Sequence, residues 1–104
     1  MKIEIVNEVI NLENGSYTAV IEDIIGYEEN NKVLIKFILE DGTIFIKFYL
    51  TEELSRYPWA NLFKALNTDN TDDLIGKSVE FEISNNASKK TDYIFSNIKK
   101  IKLV

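Results

Sequence analysis

The chain has 104 residues, of which 45% are apolar and 28% charged, the balance of one small globular domain with a modest core. Twelve Lys and Arg against seventeen Asp and Glu leave a net charge of -5, which excludes a histone-like coat of basic charge but leaves room for a local basic groove. Cys and His are both absent, which removes disulfides, thiolate nucleophiles, zinc sites of the usual kind and His-based catalysis.

In chain order, residues 1–14 form an extension, with a short strand expected through Ile3 and Ile5. Gly15 precedes an apolar run, Ser16–Ile25, that Gly26 closes, and Asn30-Asn31 separates it from Lys32–Glu40. Asp41-Gly42 is the strongest hairpin signal, two residues that tolerate positive φ and are expected to join Lys32–Glu40 directly to Thr43–Leu50. The period then changes. Trp59, Leu62, Phe63 and Leu66 fall at i, i+3, i+4 and i+7, one stripe of a helix. Pro58 cannot sit deep in a helix, so residues 52–56 should form one turn and Pro58 should open the main helix. Trp59 is expected to plug the bottom of the core beside Phe63, with its indole N–H finding an acceptor. TDNTDD at 68–73 reads as a polar loop, Lys77–Ser84 as a strand, Asn85-Asn86 as a turn and Thr91–Val104 as the last strand.

No apolar run approaches the ~20 residues that span a bilayer. The first ten residues, MKIEIVNEVI, are interrupted by acids and do not read as a secretory signal. The expected location is cytoplasmic, with no membrane partner.

Three strands, a helix and two strands is the element order of the OB-fold, a five-stranded Greek-key barrel with its helix between strands 3 and 4. Residues 1–14 would be an N-terminal extension and 15–104 the barrel, in a single domain. Within that order, LENGSY at Leu12–Tyr17, the Asp41-Gly42 hairpin, LIGKSV at Leu74–Val79 and YIFSNIKKI at Tyr93–Ile101 resemble landmarks of small phage- and prophage-encoded OB-fold proteins that bind single-stranded DNA. The resemblance covers about residues 12–102. It implies non-enzymatic binding of single-stranded DNA in phage or prophage replication or recombination. The chain departs from such proteins in having one Arg, Arg56, and in ending with the strand-like KKIKLV where many carry a long acidic tail.

Strand alternation suggests where a strand of DNA would lie. Val33, Ile35, Phe37 and Leu39 form one apolar set, and Ile44, Ile46, Phe48 and Leu50 another; both read as interior. The opposite faces then carry Lys36 on one strand and Phe45, Lys47 and Tyr49 on the next. Cations that track phosphates and flat rings that stack on unpaired bases are what single-stranded nucleic acid requires. Phe45 and Tyr49 are the stacking candidates, with Lys36 and Lys47 as phosphate contacts. The same rings could instead pack under the helix or the extension, or against a second copy of the chain. Leu34 and Ile38 add apolar area to that face, and a homodimer is a further expectation.

Charge is uneven along the chain. Residues 1–31 carry one Lys and seven acids, a net of -6, whereas residues 88–104 carry five Lys and one Asp, a net of +4. Lys89 and Lys90 fall in the turn before the last strand, with Tyr93 and Phe95 next to them, so these four join the candidate site. A solvated hairpin tip and a Lys-protected edge strand would produce the same pattern. Glu52-Glu53, Asp72-Asp73 and Glu80/Glu82 lack the spacing of a calcium loop, and no phosphate-loop, dinucleotide or nucleophile-elbow motif occurs. Neither an enzyme nor a bound cofactor or metal is expected. The competing function is a protein-interaction or assembly module that uses the same outer aromatics.

Overall fold

Five segments with alternating apolar residues contribute to one buried core and form most of a sheet. A computed structural model of the chain describes residues 7–87 and 94–104. The strands are β1 (Glu8–Val9), β2 (Gly15–Tyr27), β3 (Lys32–Leu39), β4 (Ile44–Leu50), β5 (Ser78–Ala87) and β6 (Ile94–Leu103). One helix, α1 (Trp59–Leu66), lies between β4 and β5. The ladder order is β1-β4-β3-β2-β5-β6, and every pairing is antiparallel except β1 with β4. Among the described residues the protein is therefore mainly β with a single α-helix, as expected. There the strand count differs, six rather than five, and no ladder joins β4 to β6, so the sheet is not closed. The early short strand is Glu8–Val9; Ile3 and Ile5 lie outside the described residues.

The hairpin between β3 and β4 forms at Asp41-Gly42, but with three loop residues instead of two. Gly42 N–H donates to Leu39 C=O at 2.9 Å, and Leu39 N–H donates to Thr43 C=O at 2.9 Å. Gly42 has φ +87°, the left-handed residue that this longer turn needs. The Asp41 carboxylate accepts from Thr43 N–H at 2.9 Å, and that bond holds its pKa below the ordinary value. The extra residue moves the register by one, so Phe37 faces Phe45 and Leu34 faces Phe48. A one-residue shift sends every side chain of a strand to the other face. Phe45 is accordingly 0% exposed in the core, and Phe48 is 54% exposed, the reverse of the expected assignment.

Pro58 stands immediately before α1 and a 3-10 turn covers Thr51–Ser55, so the break at Pro58 falls where its missing N–H requires it. Trp59 and Leu62 of α1 are buried and Phe63 and Leu66 pack against the core. TDNTDD is not a plain loop: Thr71–Leu74 form a 3-10 turn capped by the Asn70 side chain, which accepts from Asp72 N–H at 3.0 Å. Rings dominate the core. Phe37, Phe45, Phe81 and Trp59 lie with centroids 5.1–6.2 Å apart, within the range of favourable aromatic pairs.

The gap between the two ends of the sheet is bridged by the chain before β2. Asn7 C=O accepts from Ile44 N–H at 2.9 Å on the β4 side. Five residues later, Leu12 N–H donates to Ser96 Oγ of β6 at 3.0 Å. Leu12 C=O accepts from the Asn85 side-chain amide at 2.8 Å, and the Ser96 hydroxyl, 1% exposed, is also within reach of Asn85 Oδ1. Asn14 adds a fourth tie by accepting from Asn85 N–H at 2.7 Å. Unmade buried hydrogen bonds are costly, so these polar groups hold the segment in one place.

Three substitutions test this packing through stability. Phe45→Ala is expected to cost about 3–5 kcal/mol, the range for deleting a core ring, whereas Phe48→Ala should cost under about 1 kcal/mol because its ring is exposed; urea unfolding of both variants measures the difference. Ser96→Ala should cost about 2 kcal/mol by stranding the Leu12 N–H, and its amide should exchange with solvent faster than in the parent protein.

Candidate functional site

The rows of the β2–β3–β4 ladder alternate between a core face and an outer face. Ile24, Ile35 and Lys47 share one core-side row, and Val33 and Tyr49 another. The outer rows are Val20–Ile38–Ile44, Asp23–Lys36–Ile46, Ile25–Leu34–Phe48 and Tyr27–Lys32–Leu50. Phe48, Tyr27 and Leu50 are 54%, 44% and 42% exposed, and Leu34, opposite Phe48, is nearly covered. A register shift between Ile21 and Asp23 bends β2, which pairs with β5 through its first half and with β3 through its second.

Among the described residues, the candidates from the sequence do not assemble on one surface. Lys36 lies on the outer face, half-buried, opposite Asp23. Phe45 belongs to the core and has no exposed face to offer a base, which corrects its assignment as a stacking ring. Lys47 and Tyr49 do come together, with the ammonium 5.7 Å from the ring centroid, but on the core side of β4. Phe95 is exposed on β6 opposite Asn86, four ladder steps from Lys36's strand neighbour β4 in the sheet order. Lys89, Lys90 and Tyr93 lie outside the described residues. Of the remaining cations, Lys102 pairs with Glu80 at 3.7 Å, and Lys100 stands opposite Glu82 in the register.

Sequence reasoning does not reach Phe48, Lys32 and Tyr27 as candidates for a site. The wholly apolar alternation set of Phe48 reads as interior, and only the three-residue turn places that set outside. On this face Phe48 sits beside Leu34, with Lys32 and Lys36 the next same-face residues on either side of Leu34. The two cations are thus about 13 Å apart along β3, with an aromatic ring between them.

Tyr49 and Trp59 form a second polar feature. Their rings meet edge to face at 5.4 Å, yet the Tyr49 hydroxyl and the Trp59 indole N–H are buried without a hydrogen-bond partner. The acceptor expected for the Trp59 N–H is therefore missing among the described residues. Burial drives the Tyr49 pKa far above its ordinary value; the nearby indole, outside hydrogen-bonding geometry, offsets this in part, and the Glu53 charge adds to it. Burial also lowers the Lys47 pKa, against an opposing pull from Glu53.

The described residues contain no group of three or more acidic side chains arranged to hold a metal ion, and no helix long and apolar enough to cross a membrane. Compared with known proteins, the sequence matches no protein-family model and no curated protein.

A buried hydroxyl without a partner is a stability cost that phenylalanine would remove. Tyr49→Phe is expected to raise the unfolding free energy by about 1 kcal/mol, measured by urea unfolding; a loss of the same size would mean that the hydroxyl is bonded in solution.

Proposed function

We propose that this protein is a non-enzymatic, cytoplasmic binder of single-stranded DNA, built as a partly open OB-fold barrel, and that the strand crosses the outer face of β2–β4. The reading is supported chiefly by Phe48, an exposed ring on a strand, flanked on the neighbouring strand by Lys32 and Lys36. An exposed aromatic supplies stacking that every base can use, and the lysines supply phosphate contacts. Tyr27 and Leu50 flank Lys32 in its own row and widen the apolar platform there. The phage or prophage setting rests on the sequence resemblance alone.

A second reading has its own observation. Val20, Ile25, Ile38, Ile44 and Ile46 share the outer face, so most of it is aliphatic, as suits a protein surface or a second copy of the chain. Salt separates the two. Two lysines neutralising two phosphates give a log–log slope of affinity against salt of about -1.4, from ~0.7 per phosphate on single strands. An apolar protein interface gives a slope near zero.

Fluorescence anisotropy of a labelled oligo-dT provides the test. Phe48→Ala should weaken binding by ~1–3 kcal/mol, five-fold or more, and Lys36→Gln should flatten the salt slope by about 0.7. Binding that neither variant alters would move the site off this face, and no binding at low salt would favour the protein-interface reading.

A further inference from the structure

Between β4 and β6, which no ladder joins among the described residues, lies a partly open cavity of about 180 Å³ lined by Lys47 and Tyr49 of β4, Asn97 of β6, and Arg56 and Trp59 from the entry to α1. This volume is below that of pockets for drug-sized ligands and suits a small polar group. The cavity's polar character is unusual for the core side of a sheet. Lys47 occupies the same row as Ile24 and Ile35, whose side chains are both aliphatic. Trp59, 1% exposed, contributes a donor with no acceptor, and Tyr49 contributes a hydroxyl with no partner. Glu53 is the one carboxylate in the lining, and its Oε1 already accepts from Leu50 N–H at 2.8 Å. Two cations therefore oppose one engaged carboxylate.

We propose that this seam cavity binds a phosphate group, with the Trp59 indole N–H and the Tyr49 hydroxyl donating to its oxygens and Lys47 and Arg56 balancing its charge. Donors outnumber acceptors in the lining, and a tetrahedral oxyanion accepts from several directions at once. The same ligand accounts for the energetic oddities of the site. It gives partners to two buried polar atoms that have none, and it compensates a lysine whose charge burial disfavours. A binding group retained at a cost in stability is the usual trade at functional positions. The phosphate can belong to a nucleic-acid backbone passing over the seam or be free in solution. The proposal does not rest on strand binding at the outer face.

Trp59 is the chain's single tryptophan, so its emission reports directly on the cavity. Inorganic phosphate is titrated into the full chain at constant ionic strength, with chloride as the control anion, while Trp59 emission is followed. A saturable change with phosphate and none with chloride is expected. Lys47→Gln and Tyr49→Phe should each weaken that response at least ten-fold, with far-UV circular dichroism showing that both remain folded. An oligo-dT titration read by the same signal distinguishes the sources: a response that phosphate competes away, and that Lys47→Gln weakens, assigns the site to the DNA backbone. A response to inorganic phosphate alone assigns it to free phosphate. The proposal is overturned if neither ligand gives a saturable change, if chloride reproduces it, or if both variants respond like the parent. Because the outer-face variants are read by anisotropy and this site by Trp59 emission, either can fail without the other.

Discussion

The hydrogen bond from Gly42 N–H to Leu39 C=O closes a three-residue turn, and that turn decides which side of β4 meets solvent. With two loop residues, Phe45 and Tyr49 would face outward beside Lys36, and the apolar set Ile44, Ile46, Phe48 and Leu50 would fill the core. With three, Phe45 packs among Phe37 and Phe81, and Phe48 emerges next to Lys32 and Lys36. A backbone change of one residue thus exchanges the hydrophobic core for the candidate binding surface.

The open seam follows from the same arrangement. β4 ends the main antiparallel run, and among the described residues only Glu8–Val9 pair beyond it. The chain crosses from there to Ser96, whose hydroxyl lies buried between Leu12 and Asn85 and ties the two ends of the sheet through side chains where a ladder is missing. Below that tie no ladder among the described residues joins β4 to β6; α1 packs against both strands instead, and there a lysine occupies a core-side position of β4 and the Tyr49 hydroxyl and Trp59 N–H go unpaired. Polar groups that would be errors in a closed core become usable at its unsealed edge.

Much of the architecture was legible because it depends on local pattern. Alternation identified β3 and its buried side, the i, i+3, i+4, i+7 spacing identified α1, and the chemistry of proline placed the break at Pro58. What could not be read depends on register or on distant partners. Asp-Gly serves two-residue and three-residue turns alike, and the uniform hydrophobicity of Ile44 to Leu50 argued for the wrong one. Lys47 reinforced the error, since a charged residue on an alternating strand normally marks the wet face. The seam was invisible because Leu12 and Ser96 are 84 residues apart and neither carries a motif. Closure of the barrel was assumed from element order, which does not specify whether the last ladder forms.

Mapping amide chemical shifts of the full chain during titration with oligo-dT tests the account most directly, because it locates the strand without altering any residue. Perturbations are expected to centre on Lys32, Lys36 and Phe48, with the backbone amides of buried core residues such as Ile21 and Val79 unchanged. Perturbations confined to the apolar cleft among Leu54, Phe63 and Thr71, or none at saturating oligo-dT, would contradict it.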